Sequence, residues 1–166
     1  MKLYIVRHAI AQDRGSVGIS DQDRALTEEG REKMRRASAG LRSLGYIPEL
    51  LLTSPLLRAR QTADILLEEL GKGIELAVTP ALSPSATRQE LYRLIGLHSK
   101  RNSLMLVGHQ PSLGEIAGEI VFGSSERFIE LKKGGVCAIE IEGVRGTPKG
   151  RMVALVTPSI LRKVVV

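Results

Sequence analysis

Aromatic residues are scarce in this chain: two Phe, three Tyr and no Trp among 166 residues. Stacking of unpaired bases needs several rings on one face, so the composition speaks against a platform for single-stranded nucleic acid. No compact basic tract takes its place. The formal charge of +6 favours acidic partners in general, and no nucleic-acid partner is expected. Cysteine occurs once, as Cys137, which rules out an intramolecular disulfide and fits a reducing, cytoplasmic setting. Long apolar runs are also missing. The opening run ends at Arg7-His8, too early for a signal peptide, and no later stretch approaches the ~20 residues of a membrane-spanning helix, so no membrane partner is expected. With three histidines and no HxH, HExxH or dense Asp/His cluster, the chain offers no ligand spacing for a metal cofactor.

What is present is an ordinary globular mixture, 43% hydrophobic and 25% charged, of a length that suits one domain over residues 1–166. Leu3 to Val6 reads as a buried strand. Residues 9–26 are polar, glycine-bearing and loop-like. Thr27 is placed to cap a helix whose apolar stripe is Met34, Ala37, Leu41 and Leu44, ended by Gly45. Leu50 to Thr53 is a second strand. Ser54-Pro55 then reads as N-cap and first position of a helix. Its buried face is Leu56, Ala59, Ala63, Leu66 and Leu70, and this puts Arg58 about one turn in. Ile74 to Val78 reads as an edge strand, and Thr87 to Glu90 has capping-box spacing for a helix burying Leu91, Leu94 and Ile95.

Ser103 to Val107 forms the next strand, ending in Gly108-His109-Gln110-Pro111, and a helix with Leu113, Ile116, Ala117 and Ile120 follows. Val136–Ile141 and Met152–Val156 read as antiparallel strands, and Thr157-Pro158 opens a short last helix. The apolar tail Val164-Val165-Val166 can pack on its own chain or on another. Alternating strands and helices with an antiparallel end predict an α/β/α sandwich around a mostly parallel sheet.

Two histidines, His8 and His109, each follow a strand, and Arg58 enters the helix after a third. Ligands of open α/β sheets sit at that carboxyl edge. Neutral imidazole is a nucleophile towards phosphorus. Arg7 and Arg58 have the planar forks that grip phosphoryl oxygens, and an N–H of His109 can stabilise the same oxygens. The residues alone thus suggest phosphoryl transfer without a metal. His98, near a helix end before Lys100 and Arg101, reads as structural. Lys132-Lys133 reads as solvated surface, and Gly134-Gly135 as a turn.

In this order, Arg7-His8, the segment Arg24-Ala25-Leu26-Thr27-Glu28-Glu29-Gly30, the stretch Ser54-Pro55-Leu56-Leu57-Arg58-Ala59-Arg60-Gln61-Thr62 and Gly108-His109-Gln110-Pro111 resemble the histidine phosphatase superfamily. The similarity is closest to its SixA-type phosphohistidine phosphatase branch. It runs from residue 2 to about 114. The resemblance implies a phosphoglycerate mutase-like fold, His8 as the phosphoryl-accepting nucleophile with a covalent phosphohistidine intermediate, and Arg7, Arg58 and His109 as the phosphate pocket.

Two departures mark the branch. Ala9 stands where many members have glycine. The region from Pro80 to Ser85 has no carboxylate where mutase-like members carry a catalytic acid. Expelling an alkoxide, the base of an acid with pKa about 15.7, calls for such an acid. Expelling imidazole, whose conjugate acid has a pKa of about 6.5, asks much less. The expected substrate is therefore a histidine-phosphorylated protein such as a phosphotransfer domain, reached through an open pocket mouth. A phosphatase of small phosphomonoesters, with Asp13, Asp21 or Asp23 as substitute acid, is the alternative. A non-catalytic module binding phosphate groups or nucleic acid is the third reading.

Overall fold

The computed structural model describes residues 1–124 and 126–164, so Val165 and Val166 of the apolar tail lie outside it. Six strands form one sheet: β1 (Lys2–Arg7), β2 (Leu50–Thr53), β3 (Glu75–Val78), β4 (Ser103–Gly108), β5 (Val136–Gly143) and β6 (Lys149–Val156). Their spatial order is β3-β2-β4-β1-β5-β6. The first four run parallel, whereas β5 and β6 pair antiparallel. The expected mostly parallel sheet with an antiparallel edge is the one observed.

Side-chain alternation along β1 sorts the core into two layers. Leu3 and Ile5 face one side with Leu91 and Ile95 of α3 (Arg88–Leu97) and Leu113, Ile116 and Ile120 of α4 (Ser112–Phe122). Tyr4 and Val6 face the other with Met34, Ala37 and Leu41 of α1 (Glu28–Ser43) and Ala59, Ala63 and Leu66 of α2 (Leu57–Leu70). Leu161 of the short α5 (Pro158–Leu161) joins that layer. Each fully buried Leu or Ile adds about 1.5–3 kcal/mol relative to exposure, so a sheet covered on both faces is strongly preferred to one covered on one.

Local signals hold at most helix ends. Thr27 Oγ1 accepts from the Gly30 N–H at 2.9 Å, and Thr87 with Glu90 forms the full capping box. Gly45 and Gly71, each with positive φ, follow α1 and end α2. His98 closes α3 as its C-cap. Leu44 does not extend the apolar stripe, because it is the C-cap of α1 and 40% exposed.

The start of α2 differs from expectation. Leu56, extended at φ −67 and ψ 137, is its N-cap, and the helix begins at Leu57. Ser54 is not the cap. Its backbone N–H still bonds Val107 of β4, and its hydroxyl is engaged elsewhere, so Pro55 and Leu56 form a bend before the helix. Arg58 is consequently the second helical residue, closer to the strand edge than one full turn.

Candidate active site

Parallel pairing brings three strand ends together. Arg7 is level with Gly108, and Thr53 with Val107. The next residues, His8, Ser54 and His109, leave the sheet at one edge. His8 N–H bonds the Gly108 carbonyl at 3.0 Å, and Ser54 N–H bonds the Val107 carbonyl at 3.0 Å, so the ladder extends into the site.

Arg7, His8, Arg58 and His109, separated widely in sequence, line one cavity of about 380 Å³. Gln12, Asp13, Arg14, Arg24, Pro84, Gln110 and Lys133 complete its wall. His8, Arg58 and His109 are buried, whereas Asp13, Arg14 and Lys133 are exposed. The floor is thus two imidazoles and a guanidinium, and more cations stand at the rim. A larger groove of about 750 Å³ passes Arg88, Tyr92 and Glu119 but contains no histidine. Both buried histidines of the strand edge belong to the smaller cavity.

The His8 Nδ1 lies 2.7 Å from the carbonyl oxygen of Ala9. A carbonyl only accepts, so Nδ1 carries the proton and Nε2 keeps its lone pair. Burial first, then the charges of His109, Arg58 and Arg7, push the His8 pKa down to about 3, against the opposing Ala9 bond. The ring is neutral at physiological pH and competent to attack. His109 lies beside it, with ring centroids 5.2 Å apart, and burial followed by Arg58 lowers it to about 3 as well. His109 is therefore a neutral ring at physiological pH, able to offer an N–H but not an imidazolium charge.

Both arginines are anchored at one end. Arg7 donates from Nη1 to the Leu131 carbonyl at 2.8 Å, and its Nε is buried without a partner. Arg58, 1% exposed, donates from Nη1 to the Asp21 carbonyl at 2.7 Å and from Nη2 to the Asp21 carboxylate at 3.3 Å. Its Nε is also buried and unpaired. Buried donors left without partners cost stability, and two such donors in a cavity that also holds His8 suit an incoming anion.

The backbone around His8 is held from several sides. Ala9 N–H donates to Thr62 Oγ1 at 3.0 Å, and that hydroxyl donates to the Arg58 carbonyl at 2.7 Å. Gly134 N–H reaches the carbonyls of Arg7 and His8 at 3.0 and 3.2 Å. A Cβ on Gly30 would lie 2.0 Å from the Ile10 carbonyl oxygen, so α1 packs backbone to backbone on the segment after His8. The turn read at Gly134-Gly135 thus also clamps the backbone of Arg7 and His8.

Three sequence readings need correction or sharpening. Lys133 is exposed, yet it lines the cavity beside Arg7 and is more than solvated surface; only Lys132 is spent on a neighbour, Glu130. Asp21 is not free to act as an acid. Burial draws its carboxyl upward, but the Arg58 charge and the bonds from Arg24 outweigh this and hold it below the ordinary value. Asp23 accepts from Ser20 at 2.6 Å and is not among the lining residues. Asp13 does line the cavity. Arg24, which opens the segment that resembles SixA-type sequences, is 8% exposed, bonds Asp21 and the Gln12 carbonyl and contributes to the wall, a place the sequence pattern does not assign it.

Among the described residues no group of three or more His, Cys, Asp or Glu side chains could hold a metal ion. No described helix is long and apolar enough to cross a membrane.

The fold and this edge define an α/β protein with a histidine- and arginine-lined cavity at the carboxyl end of its parallel strands. Residues 3–84 match the histidine phosphatase superfamily (branch 1). A protein of Picosynechococcus sp. described as uncharacterized is 40% identical over 148 residues, 87% of this chain and 88% of its own. The structure of the protein histidine phosphatase SixA complexed with tungstate superposes with a TM-score of 0.81 at 24% identity, covering 97% of this chain and 99% of that one. The alpha-ribazole phosphatase from Shigella flexneri gives 0.72 at 17% identity, covering 95% and 97%. The chain belongs to the histidine phosphatase superfamily and has the phosphoglycerate mutase-like fold.

Proposed function

We propose that the protein is a metal-independent phosphohistidine phosphatase of the SixA type, acting on a histidine-phosphorylated protein such as a phosphotransfer domain. The observation that carries this reading is the neutral His8 ring, its Nδ1 proton fixed on the Ala9 carbonyl, in a cavity walled by Arg7, Arg58 and His109.

In the first step His8 Nε2 attacks phosphorus. The P–N bond to the substrate imidazole breaks, and that imidazole leaves in protonated or neutral form. Charge on the three equatorial oxygens is met by the two guanidinium forks and the His109 N–H, which act by position and electrostatics. In the second step water attacks the phosphorylated His8, releases inorganic phosphate and restores the free ring. Fixed cations supply the stabilisation that a metal ion would otherwise give.

Substrate choice follows from the leaving group. No carboxylate stands between Pro80 and Ser85, Pro84 from that segment lines the cavity, and Asp21 is engaged by arginines. A labile P–N bond needs no strong acid, whereas an ester does. The exposed Arg14 and Lys133 at the rim suit an acidic protein surface.

A second reading, hydrolysis of small phosphomonoesters, is favoured by one observation: Asp13 lines the cavity and can deliver a proton to an alkoxide. The experiment is phosphate release from a histidine-phosphorylated phosphotransfer protein beside a panel of phosphomonoesters, with chelator, His8→Ala and Asp13→Asn. Faster release from the phosphoprotein, insensitive to chelator and Asp13→Asn but lost with His8→Ala, is expected. Release confined to esters and lost with Asp13→Asn establishes the second reading.

A further inference from the structure

Ser54 is fully buried, at 0% exposure, so its hydroxyl must find its partners within the fold. Its Oγ accepts from the Leu56 N–H at 3.3 Å and lies 2.8 Å from His109 Nε2. A serine hydroxyl has one proton to donate. The contacts of this buried oxygen among the described residues offer a single acceptor for it, the His109 ring nitrogen. The other arrangement, with Nε2–H donating to Ser54, leaves a buried hydroxyl proton with nothing to bond, a cost native structures avoid.

The other end of the imidazole completes the argument. His109 Nδ1 is buried and without a partner, while its ring lines the cavity 5.2 Å, centroid to centroid, from the His8 ring. We propose that Ser54 is a positioning residue: its hydroxyl donates to His109 Nε2, fixes the proton of the neutral ring on Nδ1, and so presents an N–H to the phosphoryl oxygens. The assignment of Nδ1–H to phosphoryl oxygens rests on the phosphatase reading above; the tautomer itself does not.

The consequence is a reciprocal arrangement of the two histidines. Both carry their proton on Nδ1. In His8 that proton is spent on a backbone carbonyl and Nε2 is the free nucleophile. In His109 a hydroxyl occupies Nε2 and the Nδ1 proton is the free donor. Two chemically identical rings thus take opposite roles, set by the partner each finds at the strand edge. With the other tautomer, His109 would present a lone pair to an anion and repel it.

The test is ¹⁵N-histidine NMR of the whole protein at neutral pH, with the three signals assigned through His98→Gln and His8→Asn. The expected result is a pyrrole-type Nδ1 and a pyridine-type Nε2 for His109 in the wild type. Added inorganic phosphate should shift its Nδ1 signal, and Ser54→Ala should give a mixture of tautomers while His8 stays unchanged. In steady-state assays Ser54→Ala should lower kcat about 10- to 100-fold, the range known for partners that orient metal-binding histidines, and Ser54→Cys should restore part of the loss. A wild-type His109 protonated on Nε2 overturns the proposal whatever the activity. An Nδ1–H signal in a protein that hydrolyses no phosphorylated substrate overturns the phosphatase reading and leaves the tautomer assignment standing.

Discussion

Arg58 and Asp21 are 37 residues apart in the chain, and their side chains are bound: Arg58 Nη1 donates to the Asp21 carbonyl at 2.7 Å and Nη2 to its carboxylate at 3.3 Å. The arginine is buried, the aspartate half exposed, and Arg24 grips the same carboxylate at 2.9 Å. One acidic residue therefore holds two cavity arginines in fixed orientation.

Asp21→Asn keeps the carbonyl contact but removes the charge. It should lower kcat/KM by roughly 10-fold or more, as loss of an orienting partner does, and cost about 1 kcal/mol or less of stability because the carboxylate is half solvated. The native carboxyl titrates below its ordinary value. Its contribution is accordingly full above about pH 4, the unfolded value, and is lost as pH falls through the depressed folded value. Thermal unfolding of wild type and Asp21→Asn between pH 2 and about pH 6 should converge at the acid end; curves that stay parallel contradict the pairing.

The two histidines give a second pH signature. Unfolded histidine takes up a proton near pH 6.5, whereas His8 and His109 stay neutral in the fold down to about 3. Between those values the unfolded state binds more protons, so stability falls as pH drops, by up to about 1.4 kcal/mol per pH unit for each ring. Denaturant unfolding of His8→Asn should show a shallower slope than wild type over that window. Equal slopes would mean that His8 is protonated in the fold.

Lys133 tests the nature of the substrate. It lines the rim and makes no ion pair among the described residues, unlike Lys132 with Glu130. Lys133→Glu should raise KM for an acidic phosphoprotein and flatten its dependence on salt, since screened rim charges act on encounter. Hydrolysis of a small phosphoramidate should change less. An equal effect on both substrates would place Lys133 in the phosphate grip itself.

Thr62 ties the loop after His8 to the helix of Arg58, through 3.0 and 2.7 Å bonds of one buried hydroxyl. Thr62→Val keeps the shape and leaves the Ala9 N–H and the Arg58 carbonyl without this partner. The expected cost is about 1–3 kcal/mol in chemical denaturation, with a loss of kcat beyond what stability explains. Unchanged kcat would show that Ala9 is held adequately by other contacts.

Much of this architecture was legible because it is written in local patterns. The strand at Leu3–Val6, the Thr27 cap and the Thr87–Glu90 box all depend on neighbours within a few residues, and each stands as expected. Strand ends place His8 and His109 by the same logic. The misread positions depend on distant partners. Ser54 looks like an N-cap, but the hydroxyl is drawn to His109 by a contact across 55 residues. Lys133 looks like surface until the Gly134 amide ties its segment to Arg7 and His8. Asp21 looks like a free loop carboxylate until folding delivers Arg58. No periodicity encodes such pairings; only the assembled sheet edge does.

The most direct test of the central claim is to look for the phosphoryl group on His8 during turnover. The protein is mixed with a histidine-phosphorylated phosphotransfer domain, quenched in base, and its intact mass and peptides are read. The account predicts a gain of one phosphoryl group, stable in base and lost in acid, mapped to His8 and absent from His8→Ala. Turnover with no such adduct, or an adduct on another residue while His8→Ala stays active, would contradict it.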